Sequence, residues 1–223
     1  MKKIKFGLGG LLMLSAMMIS DSAAVLTIYL GAALLHELGH LAAARLLGIG
    51  IKEIRFDFSG VRICTEEGLT SYRQELLLSL AGPTVSLASA FAVMATNALW
   101  GGDLQSLLSG AGVFLSSPQD GAGSPWGFFA LSSLIQAISN LLPVESFDGG
   151  RALYCALASV ADERVARAVL RVASALSAFL LWTVALYLML RISAGLGIYV
   201  FASCIFALSV LRQDGSATVI GRE

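Results

Sequence analysis

Apolar residues run through this chain in long blocks and alternate with polar ones only briefly. Six blocks are candidates for membrane-spanning helices, which need about 20 mostly apolar residues each. They lie at roughly 6–20, 23–47, 75–99, 125–143, 169–190 and 193–211. The connection 48–74 differs: IKEIRFDFSGVRICTEEGL mixes β-branched and aromatic residues with charges around Ser59-Gly60, the pattern of a short hairpin. No internal repeat is visible, and no segment reads as a separate soluble domain. The expected fold class is an all-α polytopic membrane protein of about six transmembrane helices, with a small β-hairpin at the cytoplasmic membrane face. A single domain over 1–223 is expected, with its core at about 23–155 and C-terminal helices at about 163–211.

Composition sharpens this picture. Hydrophobic residues make up 57% of the 223 positions and charged residues 13%, about half the usual share of a soluble domain. Mean hydropathy is +0.79. The formal net charge is zero and no basic run occurs, which excludes nucleic acid as a partner. Cys64, Cys155 and Cys204 are scattered without a CxxC pair and read as free thiols. The start, MKKIKFGLGGLLMLSAMMISDSAA, fits either a cleaved signal peptide or a retained first helix, and a retained helix is the reading adopted here.

Charge also orients the spans, because Lys and Arg accumulate on the cytoplasmic side. Lys2, Lys3 and Lys5 put the N-terminus inside, and alternation then puts 48–74 inside with Lys52, Arg55, Arg62 and Arg73. The loop 100–124, which contains no Lys or Arg, falls outside. The connection 144–168 returns inside with Arg151, Arg164 and Arg167; only Arg191 lies on the opposite side from this rule.

Within the second block stands HELGH, residues 36–40, with the only two histidines of the chain. Residues four apart share a helix face, so His36 and His40 can reach one point. Two imidazole nitrogens make half of a tetrahedral zinc site. Glu37, about 100° around the helix, lies near that metal and can take a proton from a water that the metal acidifies. The bland alternative is two packed histidines with a buried glutamate partner. Burying three polar groups in hydrocarbon costs several kcal/mol unless each is satisfied, so the motif is read as a metal site.

A catalytic zinc site uses three protein ligands and one open position. No third histidine exists and the dispersed cysteines have no motif around them, which leaves a carboxylate. The best candidate is Asp148 in SNLLPVESFDGGRALY, residues 139–154. Pro143 biases Leu142 away from helix and Asp148-Gly149-Gly150 is a turn signal, so the fourth span should break there, at the depth of HELGH. Asp57, Glu66, Glu67 and Glu145 are the other nearby carboxylates, and each is better placed for water.

HELGH on an early helix, AGP at 81–83 and NLLPVESFDGGR later are together similar to the signatures of the site-2 proteases, intramembrane zinc metalloproteases. The resemblance covers about residues 30–155. It implies zinc held by His36, His40 and Asp148, Glu37 as catalytic base, and Asn140 positioning substrate or polarising the scissile carbonyl. Within the family, the compact core most resembles the branch typified by stage IV sporulation protein FB, which cuts a sigma-factor precursor on the cytosolic side. Neither a PDZ nor a CBS domain is expected, and VESF lacks the second proline often seen before the family's Asp-Gly.

The function expected from all of this is hydrolysis of a peptide bond in a membrane-associated or membrane-spanning protein, near the cytoplasmic face. The implied partners are that substrate, the lipid bilayer, and a membrane inhibitor or regulator; oligomeric state is left open. Localisation is the cell membrane, multi-pass, with the site reached from the cytoplasm. The competing class is a non-catalytic zinc transporter or sensor. A conduit would spread polar residues through both leaflets, whereas here they gather near one face.

Overall fold

A computed structural model of the chain describes residues 3–6, 23–57, 60–65, 71–116, 123–192 and 203. The expected spans 6–20 and 193–211 fall almost wholly outside these. In chain order the elements are β1 (Lys3–Phe6), α1 (Ala23–Leu46), β2 (Ile51–Asp57), β3 (Gly60–Thr65), α2 (Tyr72–Leu99), α3 (Leu104–Ser116), α4 (Pro125–Leu141), α5 (Asp148–Ala158) and α6 (Glu163–Ile192). Contacts divide the chain into two units. The first comprises Met1–Thr70 and Leu77–Leu141, and the second Ser71–Leu76 and Leu142–Glu223.

Three of the described helices are long and apolar enough to cross a membrane: α1, α2, and the Glu163–Tyr187 stretch of α6. α4 has 17 residues. At 1.5 Å per residue it is about 25 Å long, short of the roughly 30 Å hydrocarbon core. Its end at Leu141, two residues before Pro143, is where the proline was expected to stop it.

In the first unit, α1 ends on Gly48, whose φ of 67° is left-handed. Ile49 N–H reaches back to Ala44 carbonyl (2.8 Å) and Gly48 N–H to Arg45 carbonyl (3.2 Å). These two bonds are the Schellman pattern, which satisfies carbonyls that a helix end would otherwise strand. Ile49 packs on Ala44 together with Leu78. The chain then enters β2, which pairs antiparallel with β3 and parallel with β1, in the order β1-β2-β3. The parallel neighbour was not expected, because the N-terminal segment reads as basic and helical, not as a strand.

The segment 100–124 was expected to be an external loop, yet it contains α3. Leu104, Leu107, Leu108, Ala111 and Phe114 recur at helical spacing. Asp103 caps the helix by accepting Ser106 N–H at 2.5 Å. That bond holds the Asp103 carboxyl below its ordinary pKa. Ala111 and Phe114 bury against Val25 of α1 and Phe128 of α4 in one cluster, with Ile28 and Leu131 alongside.

In the second unit, Ser71 and Gln74 open α2 with a reciprocal cap. Gln74 N–H donates to Ser71 Oγ (3.3 Å) and Ser71 N–H donates to Gln74 Oε1 (3.1 Å). Tyr72 packs edge-on against Tyr154 and donates its hydroxyl to Glu163, which also pairs with Arg167 at 2.6 Å. Val144, Phe147 and Ala178 form this unit's buried cluster. The expected turn at Asp148-Gly149-Gly150 is corrected: these residues are the first turn of α5. An acidic residue there suits the positive end of the helix dipole. Gly150 is required because a Cβ on it would overlap the Val144 carbonyl.

Candidate metal centre

α1 and α2 meet in the first unit with very little between them. A Cβ on Gly39 would lie 2.9 Å from both the Ala81 carbonyl oxygen and Val85 Cγ2. This absence of side chain lets the second helix come close enough to hold the first one's histidines. His36 and His40 are buried, at 2% and 7% exposure.

Each ring is anchored through Nδ1. His40 Nδ1 is 2.8 Å from the Leu78 carbonyl oxygen. A carbonyl only accepts, so this nitrogen carries the proton and Nε2 carries the lone pair. His36 Nδ1 is 2.9 Å from Ser86 Oγ, and a hydroxyl can accept in the same way. Partners of this kind fix the tautomer and orientation of metal-binding histidines. Pro83, inside α2, has no N–H for the Ser79 carbonyl, which opens the ladder in the turn that presents Leu78.

The two Nε2 atoms then converge to 3.3 Å, with ring planes at 79°. Two nitrogens each about 2.0–2.1 Å from one tetrahedral centre lie about 3.3–3.4 Å apart. Two lone-pair nitrogens at that distance repel each other unless a proton or a cation sits between them, so the pair fits a zinc ion. Gly82 lies against both. A Cβ there would overlap His40 Nε2 and stand 2.7 Å from His36 Nε2. The glycine of the AGP motif therefore keeps the space in front of the nitrogens open.

Of the residues expected at the site, the structure brings His36 and His40 together. Glu37 follows His36 in the same helical turn and is half-buried. Asn140 stands half-buried in the last turn of α4, in the same unit. Asp148 heads α5 in the second unit and is half-buried. Sequence reasoning missed Ser86, the Leu78 carbonyl and the role of Gly82. The available signal was Ser79, Gly82 and Ser86 at i, i+3 and i+7, a polar and small stripe in an apolar helix.

The fold and site define a helical membrane protein with an HExxH histidine pair preset for a metal. The family profile of Peptidase family M50 matches residues 23–184, well over half of the chain. The chain belongs to Peptidase family M50, whose members are zinc metalloproteases. Among solved structures it is similar to the Site-2 Protease from Methanocaldococcus jannaschii, with 19% identity and a TM-score of 0.55 over 93% of this chain and 89% of that one. At that identity the likeness concerns the fold. A comparison with curated proteins finds no match.

Proposed function

We propose that this protein hydrolyses a peptide bond of a membrane-associated or membrane-spanning protein, with zinc held by His36, His40 and Asp148. The observation that carries the reading is the 3.3 Å Nε2 pair, with both rings anchored through Nδ1. Two imidazoles and one carboxylate form a donor set suited to catalytic zinc, with one coordination position left open. Bound zinc would acidify a water and polarise the scissile carbonyl.

The chain's own residues do the rest. Glu37 takes the proton from the attacking water and delivers it to the departing amine, a role worth roughly 10²–10⁴-fold in rate. Asn140 hydrogen-bonds the scissile carbonyl and holds it for attack. The substrate is an extended segment, because a helix hides its carbonyl carbons behind its own side chains and hydrogen bonds. Charge distribution supports entry from the cytoplasm, since 48–74 and 144–168 carry seven of the fifteen basic residues and 100–124 carries none. The resemblance to the sporulation branch extends the reading to a sigma-factor precursor, and family membership favours hydrolysis over transport.

The test compares membranes of cells carrying the wild-type chain or Glu37→Gln. New protein N-termini, mapped by mass spectrometry, should appear only with the wild type. Identical N-termini in both would refute proteolysis through Glu37.

A further inference from the structure

The face of α2 that meets the histidines carries one more polar side chain. Ser79, Gly82 and Ser86 fall within about 60° of each other around the helix. Gly82 lies against both Nε2 atoms, Ser86 bonds His36, and the carbonyl beside Ser79, that of Leu78, bonds His40. Ser79 itself is 1% exposed, and its hydroxyl has no hydrogen-bond partner among the described residues. Its own carbonyl has no donor four residues on, because residue 83 is proline. Ser133 Oγ and Gln136 Oε1 are also buried without partners among the described residues, but they belong to α4, not to α2. A buried hydroxyl that bonds nothing is costly and needs a reason.

We propose that Ser79 is a substrate-positioning residue whose hydroxyl bonds the backbone of the extended polypeptide lying across the histidine pair. The proposal rests on the protease reading. An extended chain in an apolar interior has N–H and C=O groups that must be satisfied by the protein. A serine hydroxyl can serve either, as donor or acceptor. Ser79 stands three residues from Gly82, about 4.5 Å along the helix axis. That distance is between one and two residues of extended chain, so the hydroxyl meets a peptide group next to the scissile bond, not the reacting carbonyl. It acts by holding the strand.

The experiment uses the full-length zinc-loaded protein in detergent and two probes. Acetohydroxamate engages the metal alone, whereas a dipeptidyl hydroxamate with leucine side chains adds an extended backbone. Calorimetric titration of wild type and Ser79→Ala gives both affinities, and thermal melting reports the fold. Ser79→Ala should weaken the dipeptidyl compound about threefold to tenfold, the worth of one uncharged hydrogen bond. Acetohydroxamate binding should not change. The melting midpoint should hold or rise, because an unsatisfied group has been removed. Equal loss for both probes would mean that Ser79 acts on the metal, no loss for either would mean that it touches no substrate, and a lowered midpoint would mean that it has a structural partner; each overturns the proposal. If the wild type binds neither probe, the protease reading fails and this proposal with it, a result distinct from a wild type that binds both and a variant that does not discriminate.

Discussion

Replacing Gly82 by alanine adds one methyl group at the point where the two Nε2 atoms converge. The new Cβ would overlap His40 Nε2 and stand 2.7 Å from His36 Nε2. An unstrained carbon–nitrogen contact needs about 3.5 Å, so the His36 ring must retreat by most of an ångström and the His40 ring by more than one. Neither can do so cheaply, because His40 Nδ1 is tied to Leu78 at 2.8 Å and His36 Nδ1 to Ser86 at 2.9 Å. Metal–nitrogen bonds tolerate only about 0.2 Å. Lost outer partners alone cost about 10–100-fold in metal affinity, so a direct block should weaken zinc by at least about 100-fold. Alanine is also the better helix former, by about 0.8–1 kcal/mol, so the zinc-free variant should remain folded. Chelator competition with a zinc indicator reads the affinity, and circular dichroism reads the helix. A variant that holds zinc as tightly as the wild type would refute the geometry assigned to Gly82.

Other expectations follow from the same structure. His36→Ala, His40→Ala and Asp148→Ala should each lower zinc from about one ion per chain, by metal analysis of purified protein; full retention in Asp148→Ala would remove it from the ligand set. Cys155 is buried, its thiol donates to Glu75 Oε2 at 3.5 Å, and burial together with the Glu75 charge pushes its pKa up to about 12. Its alkylation in the folded protein should therefore stay near baseline from pH 7 to pH 9 and become fast only after denaturation, as followed by intact-mass spectrometry; rapid native labelling at pH 8 would contradict the burial. With the native cysteines replaced, Ser109→Cys should label with an impermeant thiol reagent in intact cells and Ser71→Cys only after lysis. The reverse pattern would invert the topology.

What could be read from the sequence was whatever stands out against an apolar background. Two histidines and a glutamate at i, i+1 and i+4 are conspicuous in a membrane helix because hydrocarbon penalises each of them. Pro143 likewise announced the end of α4 by biasing Leu142 away from helix. α3 and α5 were not legible, because short helices between spans look like connections when only long apolar runs are sought. Asp148 was read as a turn residue since Asp-Gly-Gly favours turns, yet the same aspartate is stabilised at a helix N-terminus. The anchors of the histidines could not be foreseen. Ser86 and the Leu78 carbonyl are about 40–50 residues away, and a pairing across two helices leaves no periodic trace along the chain.

The most direct test of the central claim sets zinc content beside cleavage in wild type and Glu37→Gln, both purified in the same detergent. Each should carry about one zinc per chain, because Glu37 is assigned to proton transfer and not to the metal. A substrate recovered by capture on Glu37→Gln should be cut by the wild type, and the variant should be slower by roughly 10²–10⁴-fold. A wild type that binds no zinc, or a Glu37→Gln variant that cuts at the wild-type rate, would contradict the account.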